Sequence, residues 1–262
     1  MAFHASVHEG VATFTLANPP QNRLNTELML GCAAAVEQVK GDESIRVVVL
    51  RAEGEDFSYG GEIATWDMVE PDAMVELFGV GLQVSNALEQ LPVPVIASVQ
   101  GNCFGGGFEI ALRADLIIAA ESARFCHTEG AIGMFTLLGG VQRVAERAGR
   151  GRAARWALTS EKISAADAMA AGVVAEVVPD GELEAVTGQW AARLARGATR
   201  AHATHKALLA AWASGGVAAA DELIPELARA LLRTDDARHG VASAVQADAA
   251  GLRRTELQFS GR

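Results

Sequence analysis

Gly101-Asn102-Cys103-Phe104-Gly105-Gly106-Gly107-Phe108-Glu109 is the stretch on which the reading of this chain turns. Before it, Val93 to Val99 is a continuous apolar run of the length and β-branched character of a strand buried on both faces. After it, Phe108 to Arg113 reads as a short helix and Leu116 to Ala119 as the next strand. Gly101 to Gly107 is then a turn from a buried strand into a helix. Three adjacent glycines cost backbone entropy that a plain turn does not demand, so something must approach the main chain closely. Amides at the start of a helix point outward unpaired, and the helix dipole adds partial positive charge. The place suits an oxygen carrying negative charge.

Phosphate is one such guest, but Gly107 and Phe108 stand where a P-loop carries its lysine and its Ser or Thr, and the run does not read G-x-G-x-x-G. An enolate-like oxygen is the natural alternative, for which two converging amides supply roughly 3 kcal/mol each in a water-poor site. A strand-to-helix turn packed tightly for structural reasons is the other reading.

Outward from this stretch, Val11 to Leu16 alternates as a strand and Asn18-Pro19-Pro20 breaks it. Thr26 then caps a helix through Met29, Cys32 and Val36 to Val39. Val47 to Leu50 is a short buried strand, Glu53 to Gly61 a polar loop, and Pro71 to Leu91 a helix that delivers the chain to Pro92. From Gln142 onward the pattern is helical and alanine-rich, interrupted by the apolar Val173 to Val178, which Pro179 closes. Trp190, Leu194, Leu208, Leu209 and Trp212 predict a buried helical face. These elements give an α/β body of repeated strand, strand and helix units over 1–195. A helical C-terminal region, 196–262, folds back or exchanges with neighbouring copies.

The 262 residues are half hydrophobic, enough for a sizeable core. Against 22 Lys and Arg stand 32 Asp and Glu, a net charge of −10 that argues against nucleic acid as a partner. Cys32, Cys103 and Cys126 are few and unpatterned, as structural thiols in a reducing compartment are. Met1 to His8 lacks the features of a signal, and no run of about eighteen apolar residues follows. The expectation is a soluble, cytoplasmic protein with no membrane partner.

Glu109 lies among Phe108, Ile110, Ala111 and Leu112, and Glu129 follows the strand-like Ala123 to Thr128. Two carboxylates in apolar surroundings have raised pKa values and, if close, divide into an acid and a base; the plainer reading is two surface glutamates on unrelated elements. His127 would point the same way as Glu129 on a strand. No second ligand stands at metal-site spacing, so it reads as a pocket-lining or core histidine, and no metal is expected.

Together these segments resemble the crotonase superfamily, the enoyl-CoA hydratase and isomerase family, over nearly the whole chain. Asn18 to Asn25 looks like the family's first coenzyme A loop, with Arg23, placed to meet a phosphate, where a small residue is usual. Asp56-Phe57-Ser58-Tyr59-Gly60-Gly61-Glu62-Ile63 is similar to the segment that gives one oxyanion amide, here that of Gly61. Gly101 to Glu109 looks like the Gly-x-x-x-Gly-Gly-Gly-x-Glu segment that gives the second, here that of Gly106. Phe125 to Gly133 resembles the stretch carrying a second catalytic glutamate, so Glu109 and Glu129 match both catalytic glutamates of hydratases. Gly139 to Val144 and Leu158 to Ala165 are further family-like markers.

The resemblance implies a crotonase-like spiral of ββα units with a helical trimerisation segment, and a hydro-lyase that adds water to a 2-enoyl-CoA. Isomerisation, decarboxylation or C–C hydrolysis of an acyl-CoA are alternatives, as is a noncatalytic acyl-CoA-binding relative. It implies no cofactor beyond the coenzyme A of the substrate, and a homotrimer or a hexamer of paired trimers. Substrate contacts fall by the resemblance on Arg23 and Leu24, on Ser58, Tyr59, Gly60 and Ile63, and on Gly105. Thr128, Gly133, Phe135 and Leu138 complete them. Tyr59 and Gly61 stand where alanines are common, Thr128 replaces a proline, and Thr136-Leu137-Leu138 replaces a Pro-Gly turn. These departures bear on the acyl group rather than the fold.

Overall fold

The computed structural model describes residues 2–64, 66–253 and 257–261. Strands β1 (Phe3–His8) and β2 (Val11–Leu16) form an antiparallel hairpin, followed by α1 (Thr26–Gly41) and β3 (Val47–Ala52). The cap of α1 is Asn25 rather than Thr26: its side chain accepts from the Leu28 amide at 2.9 Å, and Thr26 is the first helical residue. A 3-10 turn at Trp66–Met68 leads to α2 (Pro71–Glu89), β4 (Val95–Val99), β5 (Asn102–Phe104) and α3 (Gly106–Ala111). The stretch expected to be wholly turn thus contains a strand, and the helix begins two residues earlier than its apolar residues suggest.

Next come β6 (Leu116–Ala120), β7 (Arg124–Cys126), a 3-10 turn at Glu129–Ile132, α4 (Gly140–Ala148) and α5 (Arg150–Thr159). The body closes with β8 (Ile163–Ser164), α6 (Ala165–Ala170), β9 (Glu176–Val178), a 3-10 turn at Asp180–Glu182 and α7 (Leu183–Arg196).

Six strands form one sheet in the order β1-β2-β3-β4-β6-β9, antiparallel at its first pair and parallel in the rest. The continuous apolar runs follow from burial on both faces. Val48, Leu50, Val95, Ala97 and Ile117 join the main core beneath α1, α2 and α3, while Val47, Val49, Ile96 and Ile118 meet Leu183, Ala191 and Ala195 of α7 on the other side. The second sheet, β5-β7-β8, sets the site: its parallel β5·β7 pairing aligns Phe104 with Cys126 and so carries the glycine run beside the segment holding Glu129. Cys32, Cys103 and Cys126 are free and buried, and burial pushes all three thiols up, Cys32 to about 12.

Helices α8 (Thr199–Leu231) and α9 (Asp235–Ala249) end the chain. In α8 only Thr199 is buried, so the expected apolar face is uncovered in the single chain, with Leu209 and Trp212 exposed. By length and composition α8 also suffices to cross a membrane, alone among the helices of the described residues. Gly216, at φ 75°, divides it into two segments, each shorter than the roughly 20 residues a span requires. The tail returns to the body: the Phe259 carbonyl accepts from Arg46 at 2.7 Å, and the Ser260 and Gly261 amides donate to buried Asp236.

Candidate active site

Two short loops meet at Gly61 and Gly106. Leu24 and Gly61 form a bridge in which the Leu24 amide donates to the Gly60 carbonyl at 2.8 Å. A trans peptide places its N–H opposite its C=O, so the Gly61 N–H faces away from Leu24. The same logic holds at the second loop, where the Gly105 carbonyl accepts from the Glu109 amide at 3.0 Å and the Gly106 N–H points out of the start of α3. Neither N–H donates to any group among the described residues. The loops touch: a Cβ on Gly60, at φ 85°, would lie 2.8 Å from the Gly106 nitrogen, and one on Gly106 would lie 3.6 Å from the Gly61 nitrogen. Arg23 braces this arrangement, donating to the Gly61 carbonyl at 3.0 Å and to Gln21.

Both amides open into a cavity of about 640 Å³ that also receives Glu109 and Glu129. Glu109 is 2% exposed and Glu129 8%. Burial, and then the charge of Glu129, push Glu109 up to about 8, although its Oε1 accepts from the amides of Leu138 and Gly140, both at 2.9 Å. Burial also raises Glu129, neither of whose oxygens meets a donor. The two carboxyls titrate as an interacting pair, the charge on one raising the other.

His127, stacked on Phe108 with ring centres 4.9 Å apart, is buried. Burial lowers it to about 4, so the imidazole is neutral beside Glu129, at 4.0 Å. Gly140 holds this corner together. A Cβ there would lie 2.7 Å from His127 Cε1 and 2.8 Å from Glu109 Cγ. Gly140→Ala is therefore expected to cost about 1–3 kcal/mol of stability by overpacking, read as a lower midpoint in thermal or urea unfolding, and to lower turnover by displacing Glu109.

Of the substrate contacts expected from sequence, Arg23, Leu24, Tyr59, Ile63, Gly105, Thr128 and Leu138 line the cavity. Four do not. Ser58 is fully buried and turns inward, its hydroxyl donating to the Asn22 carbonyl at 2.7 Å and accepting from the Gly60 amide. Gly60 is buried against Phe104 and Gly106, Gly133 ends the Glu129–Ile132 turn in a left-handed conformation, and Phe135 is 70% exposed, off the cavity wall. Wall residues that went unread include Met29 of α1, Trp66 of the 3-10 turn, Leu77, Phe78 and Gly81 of α2, and Met134. Trp66 packs edge-on to Phe78 with centroids 5.1 Å apart, and its indole would meet a Cβ on Gly61 at 2.6 Å. A glycine in place of the more common alanine is what lets this indole approach the donor loop.

A parallel-sheet body that presents two free amides beside a buried carboxyl pair suits an enzyme in whose reaction negative charge develops on a substrate oxygen. The enoyl-CoA hydratase/isomerase family pattern matches residues 6–246, and the chain belongs to that family. It is 33% identical to a Rhodobacter capsulatus protein named "Probable enoyl-CoA hydratase" over 100% of both chains. It is 29% identical to the trans-2-decenoyl-[acyl-carrier-protein] isomerase of Streptococcus mutans over 90% of this chain and 92% of that one. The crystal structure of an enoyl-CoA hydratase from Bacillus anthracis superposes with a TM-score of 0.90 at 25% identity, covering 100% of each chain.

Proposed function

We propose that the chain adds water reversibly and syn across the double bond of a 2-enoyl-CoA to give a 3-hydroxyacyl-CoA. The observation that carries this reading is the pairing of two unengaged amides with two buried carboxyls whose pKa values are both raised. The thioester oxygen sits between the amides of Gly61 and Gly106. Glu109, whose Oε1 is held by two amide donors, is the better place for the negative charge; Glu129, without donors, is the better place for the proton. Glu109 takes a proton from water as its oxygen bonds to C3. Electrons of the double bond move to the thioester oxygen, where the amides stabilise the enolate, and Glu129 delivers its proton to C2. Exchange with solvent then returns the proton from Glu109 to Glu129.

The scheme draws on no metal or redox group, and coenzyme A enters with the substrate, its phosphates toward Arg23. The apolar wall of Met29, Trp66, Leu77, Phe78 and Leu138 fits an uncharged hydrocarbon acyl group. Exposed apolar residues on α8 and α9, among them Leu209, Val217, Val241 and Val245, support a homotrimer or paired trimers. The acidic balance supports a location away from membrane and nucleic acid.

The test is a panel of 2-enoyl- and 3-enoyl-CoA esters. Hydration consumes the conjugated thioester absorbance of the former; isomerisation alone would create it from the latter and leave the former untouched. Below the first ionisation of the pair no base is present, and above the second no acid. The expected profile of kcat is a bell whose basic limb begins near pH 8, the value to which Glu109 is raised. A rate that climbs through pH 9 would remove the shared proton from the mechanism.

A further inference from the structure

Beneath Glu109 lies a cluster of charges outside the cavity. Arg113, 1% exposed, follows α3; its Nη1 donates to Asn86 Oδ1 at 2.6 Å and to Glu89 Oε2 at 2.9 Å, both at the end of α2. Arg143 of α4 donates through Nε to Glu89 Oε1 at 2.7 Å and through Nη2 to Glu89 Oε2. Burial raises the Glu89 carboxyl, but the hydrogen bonds and charges of Arg143 and Arg113 outweigh it and hold Glu89 below the usual carboxylate range.

Each arginine also donates to one carbonyl of a single loop. Arg113 Nη2 donates to the Leu138 carbonyl, and Arg143 Nη1 donates to the Gly139 carbonyl at 2.9 Å. These are the residues whose neighbouring amides hold the carboxylate: Leu138 N–H and Gly140 N–H converge on Glu109 Oε1, both at 2.9 Å. Gly139, at φ 83°, is the left-handed residue that lets the chain turn two carbonyls down and two amides up. A Cβ there would lie 2.6 Å from Arg143 Nη1 and 3.0 Å from Arg113 Nη2, so the guanidinium groups pack directly on the loop.

We propose that Arg113 and Arg143, bridged by Glu89, are positioning residues for the catalytic base: they grip the Leu138 and Gly139 carbonyls and thereby aim two amides at one oxygen of Glu109. The inference rests on the reading of Glu109 as the base. Two guanidinium charges against one carboxylate leave net positive charge below the loop, which favours the ionised base. Arg113 and Glu109 interact electrostatically, and Arg113, lowered to about 10 by burial and then by Arg143, stays charged at neutral pH. The other groups facing Glu109 are the opposing carboxyl of Glu129, neutral His127 and the amides at the start of α4. A lysine offers neither the planar fork nor two directed donors at this spacing.

Arg113→Met keeps an unbranched apolar stem in the buried site and removes the grip. Its kcat should fall about 100-fold through misplacement of the base, with KM within about twofold of the parent. The acidic limb of the kcat profile should move to higher pH, because the ionised base has lost support; Arg113→Lys should restore part of both. If Arg113→Met does not fold, Arg143→Met releases one loop carbonyl, that of Gly139, together with the two bonds to Glu89, and should show the same limb shift with a smaller loss. A fall in kcat that merely tracks the folded fraction, with the limb unmoved, would overturn the proposal. Carboxyl 13C resonances of Glu109 and Glu129, titrated in parent and variant, give a reading independent of turnover. A Glu109 titration unmoved by the substitution defeats the grip, whereas a parent that hydrates nothing defeats the proposed reaction and leaves this measurement intact.

Discussion

Replacing Glu109 with Gln is expected to lower kcat by about 1,000-fold while leaving the dissociation constant for a saturated acyl-CoA within about twofold, a loss within the range for removal of a positioned general base. The glutamine oxygen can still accept from Leu138 and Gly140, so the loop keeps its shape. What disappears is the group that takes the proton from water. The effect therefore belongs in kcat and kcat/KM together, at about 4 kcal/mol of transition-state stabilisation. Stability should move the opposite way. Burial and the facing charge raise the pair's proton affinity, Glu109 from 4.5 to about 8, so across that interval the folded state holds, on one carboxyl or the other, a proton that the unfolded state releases, and the wild type loses stability as pH rises. The neutral amide is free of that penalty. At pH 8 the variant should unfold at a higher temperature than the parent, and a variant that is both inactive and less stable at pH 8 would contradict the picture of a strained, proton-sharing pair.

That pair marks the boundary between what local sequence shows and what requires the fold. Gly106 and Glu109 share one turn of α3, so the relation of donor to carboxyl is written within four consecutive residues. Glu129 is twenty residues further on, and its approach depends on the β5·β7 register, which no local pattern announces. The same distinction explains the misplaced contacts. Ser58 and Gly60 are neighbours of Gly61 in sequence, but backbone direction at a bridge decides which side each faces, and both face inward. Pro71 to Leu91 was legible as a helix, yet periodicity does not separate a face that meets core from one that meets a cavity. β1 went unread although Phe3, Ala5 and Val7 alternate with His4, Ser6 and His8: the run is one short period-2 stretch with a single large buried residue, Phe3. Arg113 reads as the polar end of a short helix; only the packing of α2 and α4 against it shows a buried guanidinium held on Asn86, Glu89 and the Leu138 carbonyl.

Gly106→Ala keeps the amide and should leave the chain folded but cost about 100- to 1,000-fold in kcat/KM, the size of loss expected when a thioester oxygen is kept from one of its donors. Three glycines stand together here, but they are not equivalent. A Cβ on Gly107 would press at 2.6 Å on Ser58 Cβ and 2.7 Å on the Ser58 carbonyl, backbone that cannot yield, so that substitution attacks the fold. A Cβ on Gly106 meets only the end of the Leu24 side chain at 3.1 Å, Leu138 Cδ1 at 3.6 Å and the Gly61 nitrogen at 3.6 Å. The added methyl therefore sits at contact distance from the opposite donor, in space that the thioester oxygen must enter to come within about 3 Å of both nitrogens. Alanine is also the better helix former at the start of α3, which offsets part of any packing cost. The separating measurement pairs an unfolding curve with the carbonyl stretch of a bound acyl-CoA. An intact midpoint, a carbonyl no longer polarised and a collapsed rate identify the Gly106 amide as a donor. An intact midpoint with a rate within tenfold of the parent would take Gly106 out of the hole, and leave Gly61 as its one supported donor.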